Sequence, residues 1–151
     1  IVSGRCFDDV LGLQFAAPDA LKDFSADAGD TLWWMNAADP ASAAGIDISS
    51  LKSILPERLA STHIVYRGEN IVLISRKSGK DVTTTASPND DRFAEYCGVF
   101  RAMVSREFEP LSAVRVETIN DTPAVESEYR AAFTKAGFQS DGRSLVLMKK
   151  Y

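Results

Sequence analysis

The stretch from Thr62 to Phe108 constrains the fold more than any other. It sets Thr62-His63-Ile64-Val65-Tyr66 before a turn at Arg67-Gly68-Glu69-Asn70, and Ile71-Val72-Leu73-Ile74-Ser75 after it. A second turn, Lys77-Ser78-Gly79-Lys80, leads into Asp81-Val82-Thr83-Thr84-Thr85. β-branched runs broken by glycine-bearing turns suit a pleated surface and not a helix, so this pattern predicts an antiparallel meander. Ser87-Pro88-Asn89-Asp90 then has the chemistry of a helix start: a capping hydroxyl, a proline that needs no donor, and a carboxylate that can reach back. Phe93, Tyr96, Cys97, Phe100, Met103, Val104 and Phe108 recur at three- and four-residue steps. That spacing predicts one long amphipathic helix, over about 88–108, lying across the meander.

Weaker signals flank this core. Ile1–Phe7 and Leu13-Gln14-Phe15-Ala16 read as short extended pieces around a turn at Asp8-Asp9. Pro18 and Asp19 open a helix whose apolar stripe is Leu21 and Phe24, stopped by Gly29. Thr31-Leu32-Trp33-Trp34-Met35 is an aromatic strand, and adjacent tryptophans in a strand point to opposite faces, so at most one lies in a single-sided core. The small polar run from Asn36 to Gly45 predicts a loop, and Leu51–Leu59 one more helical turn. Downstream, Ala113–Ile119 alternates as a strand and Asn120-Asp121 turns the chain. Thr122-Pro123 then caps a second helix, over about 122–136, carrying Val125, Tyr129, Phe133 and Ala136, with Gly137 past its end. Asp141-Gly142 turns again before a last strand at Ser144–Met148. The order predicts a single α+β domain over 1–151, a mostly antiparallel sheet or partial barrel with two main helices packed on it. An acidic part, 1–50, precedes a meander-helix-strand-helix-strand core, 61–151.

Charge is unevenly spread along the 151 residues, whose net is −4. Residues 1–50 carry Arg5 and Lys22 against eight aspartates, a net of −6, whereas residues 51–80 carry six bases against Glu57 and Glu69, a net of +4. An acidic flank beside a basic hairpin can aim an anionic ligand at one face; the alternative is a solvated surface with no ligand. Arg67 beside one turn, and Arg76, Lys77 and Lys80 around the other, are the candidate phosphate contacts, with Trp33, Trp34 or Tyr66 as candidate base-stacking groups. Neutralising those four bases together should flatten the salt dependence of binding.

Other chemistries find little support. Gly79-Lys80 is followed by Asp81 and residue 74 is isoleucine, so no P-loop is present; no dinucleotide fingerprint and no Gly-x-Ser-x-Gly elbow occur either. His63 reads as a strand histidine with its hydrogen bonds satisfied. The pairs Asp8-Asp9 and Asp90-Asp91 stand where turns and helix starts favour them. Cys6 and Cys97 fit neither a zinc site nor a redox pair and read as reduced thiols of a cytoplasmic protein. The longest apolar runs fall far short of the roughly 20 residues of a membrane helix. A chain that opens at Ile1-Val2 reads as a piece of a longer protein.

The order of these landmarks resembles one family. Gly12-Leu13-Gln14-Phe15-Ala16-Ala17-Pro18-Asp19-Ala20 is similar to a Gly-x-Gln-Phe-Ala-x-Pro-Glu-Ala signature, and Asn36-Ala37-Ala38-Asp39-Pro40 with Gly45 to a Ser-Ala-Ala-Asp-Pro-Ala-Asn-x-x-Gly loop. Ile64–Leu73 resembles a Val-Val-Leu-x-Asp-Gly-x-x-x-Leu-Tyr hairpin. Val114–Asn120 and Ala131–Phe138 resemble a closing strand and a Leu-x-x-Ala-Gly-Phe helix end. The chain departs from the pattern at Ser42-Ala43-Ala44, where the family has Asn-x-Tyr, and at Asn70, which lengthens the hairpin turn. The family is the large helicase-related (Lhr) group of superfamily 2 DEAD/DEAH-box helicases, and the similar part is its DEAD/H-associated region. The resemblance implies a parent ATP-dependent 3′-to-5′ DNA translocase whose motor domains and winged helix stand before this region. ATP and Mg would belong to those motor domains; in this chain the resemblance implies no cofactor, no metal and no catalytic residue. It implies a module that packs on the rest of the helicase and helps to clasp single-stranded DNA, or one that docks there without touching nucleic acid.

Overall fold

The computed structural model describes residues 1–4, 10–20 and 29–149. In chain order, β1 (Val2–Gly4) and β2 (Gln14–Ala16) pair with each other, and β3 (Leu32–Asn36), α1 (Ser49–Lys52), β4 (His63–Arg67), β5 (Asn70–Arg76) and β6 (Asp81–Thr84) follow. Next come α2 (Phe93–Tyr96), α3 (Gly98–Ser105), β7 (Ala113–Val116), β8 (Thr118–Ile119) and β9 (Thr122–Pro123). α4 (Arg130–Lys135), β10 (Gln139–Ser140) and β11 (Leu145–Met148) complete the elements of the described residues. The larger sheet runs β3-β4-β5-β6-β8-β9 and a smaller one β10-β11-β7; all pairs are antiparallel except β6 with β8. This is the α+β architecture that the alternating runs predict, with mostly antiparallel sheets and no closed barrel among the described residues.

Strand alternation gives the large sheet two different faces. Val65, Leu73, Val82 and Ile119 point to the main core, where Phe93, Tyr96, Phe100 and Phe133 meet them. Ile64, Tyr66 and Ile74 point the other way and are covered by Ala37, Ala44 and Leu55 of the connection between β3 and β4. Phe93, Phe100, Phe133 and Phe138 make edge-on or tilted ring contacts with centroids 5.0–6.1 Å apart, the arrangement their quadrupoles favour.

Several expected boundaries move. The helix over 88–108 is two helices, α2 and α3, and it starts late. Ser87 and Asp90 spend their side chains on local turns: Ser87 Oγ accepts from Asn89 N at 3.2 Å and Asp90 Oδ1 from Arg92 N at 2.9 Å. Such side-chain-to-backbone bonds compete with helix propagation. At the other end Arg106 is extended and Phe108 lies 78% exposed, outside the apolar stripe. The stripe from Phe93 to Val104 is buried as its spacing predicts.

The helix over 122–136 contracts to α4. Asn120 and Asp121 both adopt positive φ (47° and 62°), which makes a two-residue hairpin turn and carries Thr122–Pro123 back along β8 as β9. Proline is tolerated there because β9 is an edge strand. Gly137, at φ 104°, ends α4 as expected, with Phe138 N donating to Phe133 O at 3.1 Å. Ala113–Ile119 is not one strand: β7 lies in the small sheet and β8 in the large one, and the switch falls at Glu117. Lys80 O accepts both Glu117 N (2.7 Å) and Thr118 N (3.1 Å) at that switch. Asn70 pairs with Arg67, so the β4–β5 turn holds only Gly68 and Glu69 and is not lengthened; the irregularity is a bulge between Val65 and Tyr66. The expected turn at Asp8-Asp9, the Leu21–Phe24 helix and Cys6 lie outside the described residues.

Candidate nucleic-acid interface

The meander places the four candidate bases at two separate ends. β5 is seven residues long, so Arg67 at one end and Arg76 at the other stand about 20 Å apart at roughly 3.3 Å per residue. They also sit on different faces. Arg67 shares the helix side with Val65, whereas Arg76 shares the opposite side with Ile74.

Arg67 is taken up by its neighbours. Its Nε donates to Asp30 Oδ1, and its Nη1 donates to Tyr96 Oη at 3.2 Å. Tyr96 Oη in turn donates to Asp90 Oδ2 at 2.9 Å, and Arg92 Nη1 reaches Asp30 Oδ2 at 2.6 Å. Arg67 and Arg92 hold the Asp30 carboxyl below its usual range, the Arg67 hydrogen bond first, while Asp30 and Tyr96 raise Arg67 still higher than a free guanidinium. Burial raises the Tyr96 hydroxyl, so it stays protonated and keeps donating. This cluster ties the end of β4 to α2. It offers a phosphate few free donors.

The second turn gathers the other three. Lys77, Ser78 and Gly79 all have positive φ (52°, 57° and 99°), and Ser78 N donates to Ser61 O at 2.8 Å. Arg76 Nη1 donates to Thr83 Oγ1 at 2.8 Å, and Lys80 Nζ lies 3.0 Å from Glu117 Oε1. The Lys77 side chain is exposed at the tip, with no ion pair among the described residues. Three cations are thus carried on one tight left-handed turn tied to Ser61.

The Arg76 face also carries the aromatic groups. Trp33 and Tyr66 are cross-strand partners, and their rings stack with centroids 4.1 Å apart and planes 8° from parallel. Trp33 Nε1 donates to Gly68 O at 3.1 Å, which locks the indole in place, yet Trp33 is 40% exposed. Alternation predicts opposite faces for the two tryptophans, and Trp34, 44% exposed, indeed looks the other way, tilted over His63 at 5.9 Å. Neither tryptophan is in the core. The position of Trp33 opposite Tyr66 is set by strand register, which the run of residues leaves open.

His63 is only half satisfied. Its Nε2 lies 3.1 Å from Asn36 Nδ2, but its Nδ1 has no partner, and neither does Oγ of Ser75 directly across the strand pair. Burial, with Arg106 adding to it, lowers the imidazole to about 4, so it is neutral near pH 7. Cys97 is fully buried, and burial pushes its thiol up to about 12. Among the described residues no three His, Cys, Asp or Glu side chains gather as metal ligands, and no helix is long and apolar enough to cross a membrane.

No known family model matches this chain, and no curated protein matches it.

Proposed function

We propose that this chain is a non-catalytic accessory domain that holds single-stranded nucleic acid for a larger helicase of the Lhr type, in the cytoplasm. The observation that carries the reading is that one face of the large sheet bears an exposed, locked Trp33–Tyr66 stack at its Gly68 end and the Arg76 side chain about 17 Å further along the strands, at roughly 3.3 Å per residue, with Lys77 and Lys80 in the turn just beyond. An indole held flat with one side open takes a base, and the cations at the far end of the strands take phosphates further along the same bound strand. ATP and Mg would act in the parent's motor domains, and the chemistry of unwinding would be theirs. Arg67 drops out of the contact set because Asp30 pairs with its charge and its Nη1 is turned to Tyr96 on the helix side of the sheet.

Fluorescence anisotropy of labelled oligo(dT) at two salt concentrations tests this. The Arg76→Gln, Lys77→Gln, Lys80→Gln triple variant should lose roughly 2 from the slope of log K on log salt, at about 0.7 per contact for single strands. Trp33→Ala should weaken binding by about tenfold, within the 1–3 kcal/mol of a base–aromatic stack. Unchanged slope and affinity would remove nucleic acid from the proposal. The pairing of Lys80 with Glu117 and of Arg67 with Asp30 supports a second reading, a module that docks on the winged helix or motor. Absence of any oligonucleotide binding would favour it.

A further inference from the structure

A second site lies on the other side of the molecule, where the ends of α3 and α4 diverge over β11. The gap between them is a cavity of about 570 Å³, within the range of small-molecule pockets. Its apolar lining comes from Val104 and Leu147, both buried, and from Met148, which is 58% exposed. Its polar side chains are mostly cationic: Arg101, Lys135 and Lys149 stand at the rim, and no acidic residue lines it. In a chain of net charge −4 this local excess of positive charge is unusual. Arg101 Nη2 donates to Ala136 O at 3.0 Å, which anchors the guanidinium across the mouth and offsets the negative end of α4. Among the described residues none of the three cations is in an ion pair, unlike Arg67, Lys80, Arg92 and Arg115.

An apolar cleft rimmed by cations that meet no carboxylate among the described residues matches a ligand with an apolar body and a negative head. We infer that this cavity binds a small carboxylate amphiphile, its tail on Val104, Leu147 and Met148 and its carboxylate between Arg101, Lys135 and Lys149. The guanidinium fork and the two ammonium groups together favour a carboxylate over a neutral head of equal size. This site is independent of the Trp33 face, so either proposal can fail alone.

Titration calorimetry of the whole chain with decanoate tests it, with decanol and inorganic phosphate as comparison ligands. Decanoate should bind one to one, and decanol and phosphate each about tenfold more weakly or worse, since each offers only half of the match. The Lys135→Gln, Lys149→Gln variant, both substitutions being at the surface, should weaken decanoate about tenfold and leave decanol unchanged. Ser105→Trp, at an exposed position on the rim, should block both amphiphiles, and near-ultraviolet circular dichroism checks that its fold is retained. Absence of decanoate binding would overturn the inference. So would binding that neither variant alters, or phosphate binding as tight as decanoate.

Discussion

A β-carbon at Gly79 would overlap Cγ1 of Val114, because the turn between β5 and β6 packs its glycine directly against the first strand of the small sheet. Gly79 also has φ 99°, a conformation that side chains rarely adopt. Both demands fall on one residue, and the next, Lys80, receives the two amides at the sheet switch. The turn is therefore the joint between the two sheets as well as the carrier of three cations.

Gly79→Ala should accordingly destabilise the domain by about 2–4 kcal/mol, combining overpacking with positive-φ strain. Urea denaturation measures it. The double variant with Val114→Ala should recover the steric part relative to the sum of the single changes. Simple additivity of the two would mean that Gly79 matters for its backbone alone.

Arg67 and the turn lysines should part company in experiment. Arg67→Gln breaks the link from β4 to α2 and should lower the thermal midpoint while leaving the salt slope of oligo(dT) binding unchanged. Tyr96→Phe, which removes the hydroxyl between Arg67 and Asp90, should cost about 1 kcal/mol. A lowered slope in Arg67→Gln would return that residue to the contact surface.

Acid should weaken the fold in two separable windows. His63 titrates near 6.5 when unfolded and at about 4 in the fold, so the unfolded chain binds the extra proton and stability is lost as pH falls from 6.5 towards 4. Asp141 is held at about 2, chiefly by the backbone amides of Arg143 and Ser144, against 3.8 unfolded. Its contribution is complete above 3.8 and disappears as pH drops towards 2. His63→Gln should flatten the upper window and Asp141→Asn the lower one, read from urea midpoints at each pH. A His63→Gln variant with the wild-type slope between pH 6.5 and 4 would contradict the buried neutral imidazole.

Local order explains which features can be read along the chain. The meander, the buried stripe from Phe93 to Val104 and the glycine end of α4 depend on side-chain periodicity and backbone freedom over a few residues. Thr122-Pro123 misleads because a proline after a threonine suits a helix start and an edge strand equally, and the choice falls to the positive φ of Asn120 and Asp121. The break at Glu117 cannot be seen in an alternating run, since alternation holds through both strands and only their partners differ.

The chain's own order of residues determined that it forms a mostly antiparallel α+β domain, most of its turns and the buried stripe from Phe93 to Val104. Only the folded molecule decided which cations remain free. Asp30 reaches Arg67 across 37 positions and Arg92 across 62, whereas Lys77 meets no carboxylate among the described residues. Hydrophobic periodicity is a property of neighbours in the chain. Charge pairing is a property of neighbours in space, and it is decided only once the sheet has brought distant carboxylates within reach.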